Sequence, residues 1–406
     1  MIDGYDVVDA HIHVQPWEML RPGIAAQMRG PRRDLDRIDE VFRDPGRLVA
    51  MLDEEGIDAA LLVNYIAPEV MGFTDAVNGW VAAFCRGRER RLVAVGSVHP
   101  RLTRDGAGDV DRLIDLGIRA LKIHPPHMLF HANAYRDGGG CPALATIYAR
   151  AEERRLPVII HTGTSIFTGA RNKYADPMDV DDVAVDFPEL PIVMAHAGRP
   201  LWMETCFFLL RRHRSVRIDI SGIPPGKLLD YLPRLEEVAG RALWGTDWPS
   251  PGDRSLGGNV RAFLGLPLPE QAKRAVLGAN ARALFGLTAC VAFEDPHRKH
   301  SIRALGAVGA GLPCVAPRIA TPGTLVSMSG RARTWAGGAS SPATRGSKHR
   351  RSSARSPQWE RISSEGSATS WSTVSWAAGR STGSDCRSMP GFRTSRPSSS
   401  RTFSCM

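Results

Sequence analysis

VVDAHIHVQPWE, residues 7–18, reads as a buried strand that ends by placing two histidines, His11 and His13, in alternation. Side chains two apart on a strand point to the same face. The two imidazoles therefore converge on one point, and a metal ion is the natural occupant. An H-x-H pair is short, however, and its weight depends on whether further ligands stand where a fold would place them.

Seven more runs of the same character follow: DAALLV (58–63), RLVAVGSV (91–98), IRALKIH (118–124), PVIIH (157–161), PIVMAH (191–196), VRIDIS (216–221) and RALWGT (241–246). Between them lie amphipathic stretches such as 45–56, 141–155 and 201–214, and PEQAKRAVLGANARALFGL (269–287) closes the series with a glycine near its end. Strands alternating with helices imply parallel pairing through right-handed crossovers. Eight such units within residues 1–287 suit an α/β fold of the TIM-barrel type, (β/α)8. A doubly wound open sheet is the alternative, but no G-x-G-x-x-G turn follows an early strand. The long connections, 14–44, 125–140 and 162–176, all leave the carboxyl ends of strands, the face on which barrel enzymes build their sites.

Charge divides the chain in two. Residues 1–287 carry 35 Lys and Arg against 37 Asp and Glu, whereas 288–406 carry 17 against 5. Serine shifts in the same sense, from 6 to 23. The net +10 therefore belongs to a basic Ser/Arg-rich C-terminal tail and does not point the barrel at nucleic acid. Helical and strand periodicity end near 290, so residues 288–406 are expected to be disordered. An RNA-binding segment, a flexible extension and the translation of a shifted reading frame are the competing readings, the last favoured by the abrupt change. Seven cysteines without C-x-x-C pairing, no apolar run of membrane-spanning length and no leader-like N-terminus lead to the expectation of a cytoplasmic protein with reduced thiols.

Titratable groups recur at the strand ends: His11 and His13, Lys122 and His124, His161, His196, and Asp247 just beyond the last strand. One histidine ending a strand is ordinarily a hydrogen-bonded bystander. Several at one barrel mouth would each need a buried partner if packing were their only purpose. Zn²⁺ takes neutral imidazole nitrogens and carboxylate oxygens, and lowers the pKa of water in an open position. His11, His13, His161 and Asp247 offer three nitrogens and one oxygen, and His196 can serve beside them as acid or base.

DAHIH, PVIIHTG, IVMAHAG and WGTDWP, in this order, resemble the amidohydrolase superfamily. The likeness is to the branch that includes aminocarboxymuconate-semialdehyde decarboxylase, resorcylate decarboxylases and dicarboxylate lactonases. It covers about residues 5–287. It implies a metal-dependent barrel with Zn²⁺, or Mn²⁺ in its place, one ion per chain held by His11, His13, His161 and Asp247, and His196 near the reacting water. In two-metal members of the wider superfamily a strand-4 lysine bridges the ions, which would give Lys122 that role. The simpler readings make it a cation facing substrate or a partner of Asp219. The resemblance also implies a homodimer.

His124 shares the inward parity of Lys122. GARNKY (169–174) and HAGRPLW (196–202) set Arg171 and Arg199 near the mouth, where paired N–H groups suit a carboxylate. Trp248 is read as an apolar wall. The expected substrate is a small carboxylic acid or its derivative. Hydrolysis of an amide, ester or lactone is the leading reading; decarboxylation of an unsaturated or aromatic acid and a non-catalytic binding protein are the alternatives.

Overall fold

A computed structural model describes residues 1–30, 32–250 and 255–288. Eight parallel strands follow one another around a single sheet in chain order. They are β1 (Val8–Ile12), β2 (Ala59–Val63), β3 (Leu92–Gly96), β4 (Ala120–Ile123), β5 (Val158–His161), β6 (Ile192–Ala195), β7 (Val216–Asp219) and β8 (Ala242–Leu243). Backbone bonds close the ring: Ala10 N donates to Trp244 O at 2.9 Å, Asp247 N to His11 O at 2.8 Å and His13 N to Trp248 O at 2.6 Å. The expected TIM barrel is the observed fold.

Burial on both faces explains the strand sequences, because a ring flanked by helices leaves no solvent side. One apolar cluster, including Val8, Leu61, Val95, Ile159, Val193 and Leu243, forms a layer of its own, and Phe285 packs against it. The alternate residues, such as Leu62, Leu121, Ile160 and Ile218, belong to the larger cluster shared with the surrounding helices. Register slips once. Val8 and Asp9 align with Ala59 and Ala60, but Ile12 aligns with Leu62, so β1 accommodates one extra residue. Such a bulge re-aims the side chains in and beyond it; His11 lies within the shifted stretch and His13 just past it.

The connections carry more structure than periodicity predicts. The loop 14–44 holds the helices Pro22–Arg29 and Leu35–Arg43, and 125–140 begins with a single turn, Pro125–Met128. The helix Pro45–Glu54 starts at Asp44, whose side chain accepts from Gly46 N, with proline in the first turn. It buries Leu48, Met51 and Leu52 at helical spacing. The final helical stretch, Glu270–Phe285, contains one π-helical turn, Ala275–Ala279, and ends at Gly286 in the left-handed conformation. No helix among the described residues is long and apolar enough to cross a membrane. The expected disorder of 289–406 lies outside the described residues.

Candidate metal centre

At the carboxyl end of the barrel four imidazoles each have one nitrogen anchored. His11 Nδ1 donates to Asp219 Oδ2 at 2.9 Å, and His13 Nδ1 to Val63 O at 3.0 Å. His161 Nε2 donates to Gly163 O at 3.2 Å. His196 Nδ1 lies 3.2 Å from Ser221 O and 2.9 Å from Ser221 Oγ. A carbonyl or an ionised carboxylate only accepts, so the anchored nitrogen carries the proton and the opposite one keeps its lone pair. That is how outer partners orient metal-binding histidines. His11 Nε2 and His161 Nδ1 are buried without a hydrogen-bond partner, as is Lys122 Nζ.

Asp247 faces the first two of these lone pairs. Its Oδ1 lies 3.2 Å from His13 Nε2 and 3.9 Å from His11 Nε2, while Oδ2 accepts from Ser250 Oγ at 2.9 Å. Among the described residues two groups have ligand atoms within 4.8 Å of one another: His11, His13 and Asp247, and His11, His196 and Asp219. His161 stands in neither group, but its ring is 4.7 Å from that of His196. The buried, unpartnered nitrogens and the nitrogen–oxygen donor set fit a divalent metal ion. Of the four expected ligands, His11, His13 and Asp247 are brought together closely enough to share one ion, and His161 is not in that group.

Backbone conformation at two of these residues is costly. His196 and Asp247 adopt φ of 64° and 66°, in the left-handed region that non-glycine residues avoid at about 1–2 kcal/mol. His196 immediately follows β6, and Asp247 lies four residues beyond β8, on the stretch that bonds back to β1. Strain of this kind collects at working residues.

Burial sets the charges. It pushes His196 down to about 3 and holds His11, His124 and His161 below the ordinary imidazole range, so all four are neutral. Burial alone would raise the Asp247 and Asp219 carboxyls. The polar contacts that both make with the neighbouring histidines, and for Asp219 with Ser221 as well, outweigh it and hold both below the usual carboxylate range. Desolvation lowers Lys122 to about 8 against the pull of Asp219 and Asp247.

The other expected residues divide. Lys122 lies buried on β4, but no pair with Asp219 forms. Both Asp219 oxygens are engaged, one with His11 and the other with Ser221 and the backbone N–H of His196. His124 is sandwiched between His127 at 3.6 Å and His161 at 3.9 Å, ring centre to ring centre. Arg199 reaches Asp247, with Nη2 3.6 Å from Oδ2. Arg171 is exposed on the loop after β5, where its backbone N–H donates to Pro126 O. Trp248 packs edge-on against Phe42, which packs in turn on Trp17, in the apolar core. Asp219, Tyr65 and His127 escaped the sequence reading as site residues. The only available signal was H-x-x-H at 124–127.

The family model described as amidohydrolase matches residues 8–287. Three solved structures illustrate the shared fold. An uncharacterised TIM-barrel protein from Bordetella bronchiseptica is 21% identical, with a TM-score of 0.55 over 70% of this chain and 99% of that one. A probable 2-pyrone-4,6-dicarboxylic acid hydrolase from Acinetobacter baumannii, with citric acid bound, is 17% identical, with a TM-score of 0.50 over 69% and 99%. A 5-carboxyvanillate decarboxylase from Novosphingobium aromaticivorans, complexed with manganese and 4-hydroxy-3-methoxy-5-nitrobenzoic acid, is 17% identical, with a TM-score of 0.50 over 70% and 97%. At these identities the likeness is one of fold. No curated protein matches the sequence significantly.

Proposed function

The chain belongs to the amidohydrolase family, and from that premise we propose that it is a metal-dependent decarboxylase of small, planar carboxylic acids. Arg199 is the observation that carries the reading. Its pair with Asp247 is loose, at 3.6 Å, and its buried Nε has no hydrogen-bond partner. A half-satisfied guanidinium beside the donor cluster is suited to take a substrate carboxylate through two N–H groups. Two fold neighbours are complexed with acids, citric acid and a nitrobenzoic acid, which supports an acid as the class of ligand.

The surroundings favour loss of CO₂ over attack by water. His11, Lys122 and His196 are buried. A carboxylate drawn among them gives up hydration, and departure as neutral CO₂ relieves that cost. We assign one ion per chain, Zn²⁺ first and Mn²⁺ second, to His11, His13, His161 and Asp247; when bound it supplies Lewis-acid stabilisation to a substrate oxygen. Docking sets a second carboxylate beside Asp247 and engages Arg199 elsewhere. Both changes favour the protonated carboxyl, so that Asp247 Oδ2, the oxygen beside Arg199 and Ser250 rather than the one facing His11 and His13, takes up a proton from solvent. The C–C bond to the carboxylate then breaks, the electron pair stays on carbon, CO₂ leaves, and Asp247 returns its proton to that carbon. His196, neutral and held by Ser221, orients the reacting carboxylate.

The hydrolysis that led the sequence reading uses the same residues and is the competing outcome. Metal-loaded protein incubated with hydroxybenzoates and unsaturated dicarboxylic acids is expected to release CO₂ in proportion to substrate consumed. Lactone or amide hydrolysis without CO₂ overturns the proposal.

A further inference from the structure

A second hydrogen-bonded run crosses the same end of the barrel. Tyr65 Oη lies 2.9 Å from His127 Nδ1, and His127 Nε2 lies 2.7 Å from Ser165 Oγ. The three residues come from the connections after β2, β4 and β5. Tyr65 and His127 are 3% and 1% exposed, while Ser165 is half-buried. Ser165 Oγ also accepts from Phe167 N at 3.3 Å, and Asn172 Oδ1 accepts from Ser165 N at 2.8 Å, so the loop after β5 fixes one end of the run.

Counting hydrogens shows what the run leaves over. Burial pushes His127 down to about 3, so its ring is neutral, with one N–H and one lone pair. Two hydroxyls and one imidazole bring three hydrogens to two contacts. One hydroxyl hydrogen is therefore uncommitted in either tautomer. With the proton on Nε2 it is that of Ser165, which solvent can accept. With the proton on Nδ1 it is that of Tyr65, deep in the barrel end. The Tyr65 ring stacks on His124 at 4.8 Å and meets His13 edge-on at 6.2 Å. It lies after β2, while Arg199 follows β6, halfway around the ring of eight strands.

We propose that Tyr65 donates a hydrogen bond to a substrate oxygen remote from the carboxylate, and that His127 is the positioning residue that frees this hydrogen. The inference rests on the reading that Arg199 takes the carboxylate. An acceptor arriving opposite Tyr65 selects the tautomer in which Ser165 donates to His127 and His127 to Tyr65. The substrate class narrows accordingly, to acids with a hydroxyl or carbonyl oxygen at the far end of the molecule. An acid without that oxygen leaves Tyr65 donating to His127 and gains no bond from it, so the discrimination is the worth of the one hydrogen bond the analogue lacks.

Calorimetric binding of 4-hydroxybenzoate and of benzoate to the metal-loaded full chain tests this. The native protein is expected to prefer 4-hydroxybenzoate roughly tenfold, the size of one good hydrogen bond. Tyr65→Phe removes that preference and leaves benzoate within about twofold of native. His127→Phe, which keeps the ring stack, loses the preference equally, His127→Gln restores it in part, and the Tyr65→Phe/His127→Phe double variant loses no more than either single one. A preference that survives Tyr65→Phe, or that the native protein lacks, overturns the inference. Both results are read from binding alone, so they are independent of whether CO₂ is released.

Discussion

His11 shows how much one residue depends on its partner. Asp219 holds its Nδ1 proton, and so Nε2 faces the donor cluster as a lone pair. Asp219→Asn keeps the shape and removes the charge that favours this tautomer. It is expected to weaken metal binding by roughly 10–100-fold with the fold intact, as measured by chelator competition. Under the proposed mechanism Asp247→Asn replaces a ligand carboxylate and removes the proton carrier together, and turnover should fall by at least about 100-fold, the scale of acid–base assistance. Buried histidines also govern acid stability. The unfolded chain binds a proton at His127 below about 6.5, whereas the folded chain does not until about 3. Stability is therefore lost as pH falls through that window, by up to about 1.4 kcal/mol per pH unit from this residue. Urea midpoints at pH 7, 6 and 5 should decline, and less steeply in His127→Gln. The strand-ending histidines were legible because a two-residue period fixes which side chains share a face. Tyr65 and His127 were not, since their meeting depends on loop paths that carry no period.

Among the elements, β1 is the most informative. Its alternation announced a strand, but the extra residue between Asp9 and Ile12 has no signature in VVDAHIH, because a bulge is visible only against the partner's register. The connection after β5 illustrates a backbone constraint. Gly163 adopts φ of 104°, and a Cβ there would lie 2.5 Å from Arg199 O. Thr164 N donates to that same carbonyl at 3.0 Å. Gly163→Ala is thus expected to cost about 1–3 kcal/mol in stability through left-handed strain and the clash. Because the loop would shift against Arg199, substrate KM should rise more than kcat falls, which steady-state kinetics will separate. Arg171 and Trp248 follow strand ends alike, yet the first is exposed and the second packs in the apolar core, since proximity along a loop does not fix direction.

At the scale of the whole molecule, the barrel residues are close to neutral and the basic excess begins at residue 288. A chain ending at Thr288 is expected to retain metal content, thermal midpoint and turnover within about twofold, because every residue of the candidate site lies before it. Loss of metal from the truncated chain would show that the C-terminal segment contributes. The fold was readable because eight repetitions of one pattern leave few topologies open, whereas ring closure was not, since β8 has only two residues of regular ladder. Closure falls instead to the stretch from Trp244 to Trp248, which also carries Asp247. Thr246 bonds to Asp9 across 237 residues of chain. Three of the four proposed donors, His11, His13 and Asp247, therefore lie on the seam between the first and last strands, completed only when the two ends of the barrel meet. An ion captured there would act as a latch on the finished ring, and the moment of its capture during refolding would mark the last step of assembly.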